Sequence, residues 1–93
     1  MMENSAKVYV SVTASFDQEG MLLPQVITWE DGTQYLIDRI LDIRPSFAAK
    51  AGGQGDRYMV RFGDHYSYLF FERSAAMQGN QLGRWFVERK QAM

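Results

Sequence analysis

The segment from Trp29 to Pro45, WEDGTQYLIDRILDIRP, constrains the fold most, because it places a turn between two strand-like runs. Asp31-Gly32 is typical of a tight hairpin turn whose central residues take positive φ. In the run Tyr35 to Arg44 that follows, Arg39 shares the parity of apolar neighbours, and the apolar residues change face midway. We therefore predict a bulge or sharp bend near Asp38 and Arg39, as small barrels require.

Five further segments have the alternation or the aromatic enrichment of strands. They are Lys7–Thr13, Leu22–Glu30, Arg57–Phe62, His65–Glu72 and Arg84–Lys90. We expect Ser46–Gly55 to form a loop and Arg73–Gly83 to form a connection with one helical turn at Ser74–Met77. The pattern predicts an all-β fold: a small, partly open barrel, SH3-like or similar, of about six antiparallel strands with one bent long strand. Residues 1–93 would form a single domain, with residues 1–6 disordered.

Composition narrows the class of protein further. The 93 residues suffice for one small domain. The chain has no cysteine, which excludes disulfides and thiolate chemistry. The longest uninterrupted apolar run, Tyr68–Phe71, is far shorter than the roughly 20 residues that span a bilayer, and the N-terminus lacks the apolar segment of a signal peptide. We expect a soluble, cytoplasmic protein that does not associate with a membrane.

The net charge of −1 hides an uneven distribution along the chain. Residues 1–42 hold seven acidic and two basic side chains, whereas residues 43–93 hold four acidic and eight basic ones. If the later strands lie together, they form a basic surface; if early and late strands interleave, the asymmetry disappears.

Several motifs that can carry chemistry have plainer structural interpretations. Gly52-Gly-Gln-Gly55 lacks the strand and helix of a phosphate-binding loop, so an ordinary flexible loop is favoured over a ligand-contacting one. His65 follows a turn and has no nucleophile motif beside it, which favours a surface histidine. The aspartates lack the spacing of calcium loops. We predict no catalytic residue, metal site or cofactor.

Arg39 is a different case, because strand parity places it among apolar residues. A buried guanidinium needs a carboxylate, so we predict a structural ion pair with Glu30, Asp38 or Glu72.

Four segments, WEDGTQYLIDRILDIRP, KAGGQGDRY, YLFFER and GNQLGRWFVER, resemble a family of short, uncharacterised bacterial proteins over nearly the whole chain. The family brings no established activity. The resemblance implies a context in nucleic-acid metabolism, since such proteins are encoded in gene clusters with a lesion-bypass DNA polymerase.

A basic and aromatic face is the main candidate for function, because small barrels bind single strands by stacking bases on exposed rings while cations follow the phosphates. We predict a candidate interaction face of Arg44, Arg61, Tyr66, Tyr68, Arg73, Arg84 and Phe86. The competing interpretation places most of these rings in the core and leaves the arginines merely solvated.

Both faces of His65–Glu72 are apolar, so a second protomer or another protein would cover one of them, and a homodimer is expected. The favoured interpretation is a non-enzymatic interaction module, a protein–protein adaptor or homo-oligomer. The alternative is single-stranded nucleic-acid binding linked to DNA repair or lesion bypass.

Overall fold

A computed structural model describes residues 4–48, 53–73 and 78–91. The strands of these ranges are β1 (Asn4–Phe16), β2 (Leu22–Thr28), β3 (Gln34–Leu36), β4 (Arg39–Ala48), β5 (Gly53–Phe62), β6 (His65–Arg73) and β7 (Arg84–Gln91). They form one antiparallel sheet in the order β3-β2-β1-β7-β6-β5-β4. The predicted all-β class is confirmed. Across the described ranges, no helix is long and apolar enough to cross a membrane.

The sheet is curled, and Ile37 and Asp38 connect its two end strands, β3 and β4. The Ile37 amide donates to the Gln25 carbonyl of β2 at 2.8 Å, and the Asp38 amide donates to the Arg61 carbonyl of β5 at 2.8 Å. Consecutive strands thus lie at opposite ends of the sheet order, which gives a partly open half-barrel. The predicted bend is confirmed, and seven strands form because the bend divides the long strand in two.

The hydrophobic core lies on the inner face of the half-barrel. Its central buried residues are Ile27, Tyr58, Val60, Leu69, Phe71 and Trp85. Val10 and Val12 of β1 pack against this cluster, as the alternation in the sequence predicts. Tyr58 also ties β5 to β2, because its hydroxyl donates to the Leu22 carbonyl at 2.7 Å. Burial raises the pKa of Tyr58, which keeps this donor protonated.

A bulge in β4 explains the change of parity in the bent strand. Ile40 and Asp42 oppose consecutive residues of β5, so Leu41 is an extra residue in the ladder. Ile40 and Ile43, three positions apart, therefore both pack against the core. In a regular strand these two side chains would lie on opposite faces.

The same geometry makes the predicted burial of Arg39 wrong. Arg39 is exposed and lies opposite Arg61, on the outer face. Among the described residues, no carboxylate forms an ion pair with it. The expectation failed because it extrapolated parity across the bend and the bulge.

The β2–β3 hairpin has a longer turn than the tight one predicted. The Trp29 amide donates to the Thr33 carbonyl at 2.8 Å, and the Gly32 amide donates to the Trp29 carbonyl at 2.9 Å. Gly32 has φ of 89°, whereas no non-glycine residue of the described ranges has positive φ, so Asp31 does not take the predicted conformation. This pattern fits a three-residue loop with a left-handed glycine in its last position.

Other predicted boundaries shift because strands extend further than alternation indicated. Asn4 to Ala6 pair with the end of β7, although residues 1–6 were expected to be disordered. Ser46–Ala48 and Gly53–Gly55 belong to β4 and β5, so the predicted loop is shorter. Residues 49–52 and the predicted helical turn at Ser74–Met77 lie outside the described residues.

The charge asymmetry of the sequence persists in space, because early and late strands do not interleave. Residues 4–36 form one half of the sheet and hold four acidic and one basic side chain. The described residues from 39 to 91 form the other half and hold eight basic and five acidic ones.

Candidate functional site

The outward positions of β5 and β6 alternate with the core residues and carry arginines beside aromatic rings. Arg61 lies opposite Tyr66, and Arg57 lies opposite Phe70. Tyr66 is 59% and Tyr68 45% exposed. These are the most accessible rings of β6, so they are available for stacking.

Two cross-strand pairs of arginines extend this surface onto β4. Arg39 faces Arg61, and Arg44 faces Arg57. Like charges directly opposite each other destabilise an antiparallel pair. Arg44 has a carboxylate partner, because its Nε lies 2.6 Å from Asp42 Oδ2; within the described ranges, no ion pair joins a carboxylate to either member of the Arg39–Arg61 pair.

The two arginines nearest the tyrosine rings contact groups that do not neutralise their positive charge. The Arg57 guanidinium lies 4.5 Å from the centroid of the Tyr68 ring. Arg61 Nε donates to the Gly63 carbonyl at 3.2 Å. We call this surface the basic-aromatic face; its members are Arg39, Arg44, Arg57, Arg61, Tyr66 and Tyr68.

A ladder of rings continues the basic-aromatic face towards β1. Phe70 and Phe86 stack with centroids 4.9 Å apart and planes 6° apart. Tyr9 meets the Phe86 ring edge-on at 5.8 Å, and Lys7 Nζ lies 4.8 Å from the Phe86 centroid. Phe86 is only 5% exposed, although it lies outside the core cluster. The chain's own side chains therefore cover this ring.

Glu72 anchors the far end of the ladder. Its carboxylate accepts from Lys7 Nζ at 2.7 Å, from the Tyr9 hydroxyl at 3.2 Å and from an Arg84 guanidinium nitrogen at 3.2 Å. The hydrogen bond from Lys7 lowers the pKa of Glu72, although burial opposes the shift. Glu72 is 6% exposed, so this cluster is structural. Arg84 therefore stabilises the fold through its ion pair with Glu72.

The structure brings six of the seven candidate residues onto one face of the sheet. Arg44, Arg61, Tyr66, Tyr68, Arg84 and Phe86 share the outer face. Phe86 is buried there and Arg84 is held by Glu72.

Arg73 lies on the opposite side of the sheet from the other candidates. It sits 5.7 Å from the Phe71 ring and 3.5 Å from Asp56, both on the inner side. Strand parity could have identified this placement, since Arg73 follows the outward Glu72 directly.

Arg57 and Arg39 were missed as members of the face. Arg57 alternates with the outward Arg61, a signal already present in the sequence. Arg39 was assigned to the interior, because the change of parity in this run does not show that the bulge lies at Leu41.

The other motifs considered in the sequence are His65, the carboxylates that could bind a metal, and the glycines of residues 52–55. His65 is exposed at the β5–β6 turn, 6.1 Å from the Phe62 ring. No group of three His, Cys, Asp or Glu side chains within the described ranges is placed to hold a metal. At Gly55, a Cβ atom would clash with the Phe71 carbonyl oxygen, so this glycine permits close strand approach. Gly52 lies outside the described residues.

Comparison of the chain with protein-family models, with curated proteins and with solved structures gives no match.

Proposed function

We propose that this protein is a cytoplasmic, non-enzymatic binding module whose basic-aromatic face binds single-stranded nucleic acid. The proposal rests on two cross-strand pairs of arginines, Arg39–Arg61 and Arg44–Arg57. They lie beside the exposed rings of Tyr66 and Tyr68. Such pairs oppose folding, so a bound polyanion that neutralises them accounts for their presence.

The spacing of the rings favours a single strand over a duplex. Tyr66 and Tyr68 are two residues apart on β6, a separation of about 6.8 Å at the usual strand rise. Bases in a stacked duplex strand follow each other at about 3.4 Å. Neighbouring bases must therefore separate to stack on both rings, which an unpaired strand does easily.

The arginines of β4 and β5 would contact the phosphates of that strand. Arg57 and Arg61 lie along β5, parallel to the tyrosine row, and Arg39 and Arg44 lie behind them on β4. Phosphate contacts of this kind position a strand without reading its sequence. We therefore expect little sequence preference and strong salt dependence.

The test is fluorescence anisotropy of a labelled oligothymidylate, followed over a series of salt concentrations. If all four arginines contact phosphate, the slope of log K against log salt should be about −3, from about −0.7 per contact. The double variant Arg57→Gln and Arg61→Gln should bring the slope to about −1.4. Tyr68→Leu should weaken binding roughly 5- to 150-fold at every salt concentration, because stacking contributes about 1–3 kcal/mol per base.

Arg73→Gln is the matched control, because it removes the same charge from the inner side of the sheet. It should leave the affinity unchanged. An equal loss in this variant would mean that net charge alone drives binding, and no anisotropy change at low salt would refute the proposal outright.

A second copy of the chain is the second candidate, favoured by the open edge of β4. This ten-residue strand pairs with β5 on one side and ends the sheet order on the other. Exposed strand edges are templates for pairing with another chain. Phe86 is covered within the monomer, whereas Tyr66 and Tyr68 of the outer β6 face stay exposed, so the edge of β4 adds to that face as a reason for expecting a dimer.

Sedimentation velocity at high micromolar concentration tests the second candidate. A dimer that Leu41→Glu dissociates would support pairing through β4, since Leu41 is 42% exposed on that strand. Monomers of the unmodified chain would exclude it.

A further inference from the structure

A pocket of about 300 Å³ opens at the end of the half-barrel where the β2–β3 hairpin approaches β7. Its lining includes three aromatic rings, those of Trp29, Tyr35 and Phe62. The Tyr35 and Phe62 centroids lie 5.5 Å apart and their planes are tilted by 47°, so two walls meet at an angle. We call this cavity the Trp29 pocket.

One guanidinium and one carboxylate meet at the Trp29 pocket. Arg89 lines it, and the Glu30 carboxylate lies 3.7 Å from Arg89. Glu88 also lines it, but its position opposite Lys7 of β1 places its carboxylate on the outer face. The Arg89 guanidinium lies 5.5 Å from the Trp29 centroid. The chain therefore already places one of its own cations over an aromatic wall of the cavity, with a carboxylate beside it.

We propose that the Trp29 pocket binds a small organic cation of the quaternary-ammonium or methylated-amine class, with Arg89 as its internal competitor. Aromatic faces attract cations, and several converging rings suit an ammonium group that carries methyl groups. The Glu30 carboxylate beside Arg89 reinforces this preference.

Arg89 is held weakly enough for such a ligand to displace it. The side chains of Arg89 and Glu30 are 54% and 65% exposed, and surface ion pairs of this length add little stability. The Trp29 pocket is separate from the basic-aromatic face, so this proposal does not depend on the nucleic-acid proposal.

The first experiment follows the Trp29 indole resonance by NMR during titration with choline. Trp85 serves as an internal reference, because it is buried in the core at 8% exposure. Choline should shift the Trp29 signal saturably. Its neutral carbon isostere, 3,3-dimethylbutanol, should bind at least about 3-fold more weakly, since it lacks the charge. Equal binding of the two compounds, or no saturable shift with choline, would overturn the proposal.

The second experiment compares two variants that remove the same charge. Arg89→Ala should tighten choline binding roughly 2- to 5-fold, because it removes a weak surface cation–π competitor. Arg44→Ala, on the outer face, should leave the affinity unchanged. Weaker choline binding by Arg89→Ala, together with binding of benzoate by the unmodified protein, would mean that the pocket accepts anions and would refute the proposal.

A trimethyllysine peptide distinguishes the two sources of such a cation. Tighter binding of the peptide than of choline would identify a methylated protein as the source. The reverse order would identify a free metabolite, and either result supports the proposed chemistry.

Discussion

The two halves of the sheet use their charges in different ways. In β1–β3 the acidic residues lie in turns, and the two aspartates have local partners. Asp17 Oδ1 accepts from the amides of Glu19 and Met21 at 2.9 and 2.8 Å, and Asp31 Oδ1 accepts from the Thr33 amide at 2.9 Å. This last bond lowers the pKa of Asp31, so the carboxylate stays ionised in its turn.

In β4–β7 the basic residues lie on the strands, and four of them face one another. Arg39 opposes Arg61 and Arg44 opposes Arg57, an arrangement that costs stability. By contrast, outward positions of β2 and β3 hold uncharged groups, such as Gln34, whose amide lies 3.5 Å from the Thr28 hydroxyl.

Some charged residues stabilise the fold through their hydrogen bonds or ion pairs, and others do not. A turn aspartate satisfies backbone amides, and Glu72 neutralises two cations, so both belong to the structure. Of the four cross-strand arginines, Arg44 alone has a carboxylate partner among the described residues, and Arg61 only donates to a backbone carbonyl. This distinction, rather than the net charge of each half, is what points to an anionic ligand on β4–β6.

The largest effect is expected at Gly55, where β5 lies close against the backbone of β6. Gly55→Val should destabilise the fold by about 3 kcal/mol, because its side chain would overlap the backbone of Phe71 and force the strands apart. In the acidic half, Gly20 has φ of 84°, and a Cβ atom added there would meet no other atom within 4 Å. Gly20→Ala should therefore destabilise the fold by only about 1 kcal/mol, through backbone strain. Urea unfolding measures both variants, and equal losses would contradict the proposed close approach.

A smaller effect is expected at Glu72, whose pKa lies below its ordinary value of 4.5. The unfolded chain binds the proton more readily than the folded chain, so the ionised carboxylate stabilises the fold above that value. This stabilisation is lost as the pH falls through the folded pKa. Glu72→Gln should cost about 1–2 kcal/mol at neutral pH, through loss of charged hydrogen bonds, and nothing at pH values below the folded pKa.

Asp31→Asn is the control for that pH dependence. Asp31 also has a lowered pKa, but its turn is exposed, so the effect on stability should be smaller than that of Glu72→Gln. A constant difference between Glu72→Gln and the unmodified protein at all pH values would show that ionisation of Glu72 does not stabilise the fold.

Local patterns predicted much of this fold, whereas contacts between distant residues were beyond them. The alternation in β1 identified its inner face, and the parity conflict near Arg39 identified the bend that closes the half-barrel. The position of the bulge at Leu41 was not predictable, because it depends on how β4 pairs with β5.

The candidate site shows the same limit. The Glu72 cluster joins residues 65 positions apart, so no local pattern reveals that Lys7 and Arg84 share one carboxylate. The arginine pairs likewise required the β4–β5 register. Arg73, in contrast, was misplaced because it was grouped with the other arginines by residue type. Strand parity already assigns it to the inner side.

The smallest effect tests the comparison of the two halves most directly. Arg61→Gln removes one member of a like-charged pair, so stability should stay unchanged or rise by about 0.2–1 kcal/mol, while oligothymidylate affinity falls. Arg84→Gln is the structural counterpart: it removes a partner of buried Glu72 and should lower stability slightly, with a smaller effect on the salt dependence of binding. Urea midpoints and anisotropy titrations measure both properties. If Arg61→Gln instead destabilised the fold more than Arg84→Gln, the outward arginines would be structural, and the case for a ligand on this face would fail.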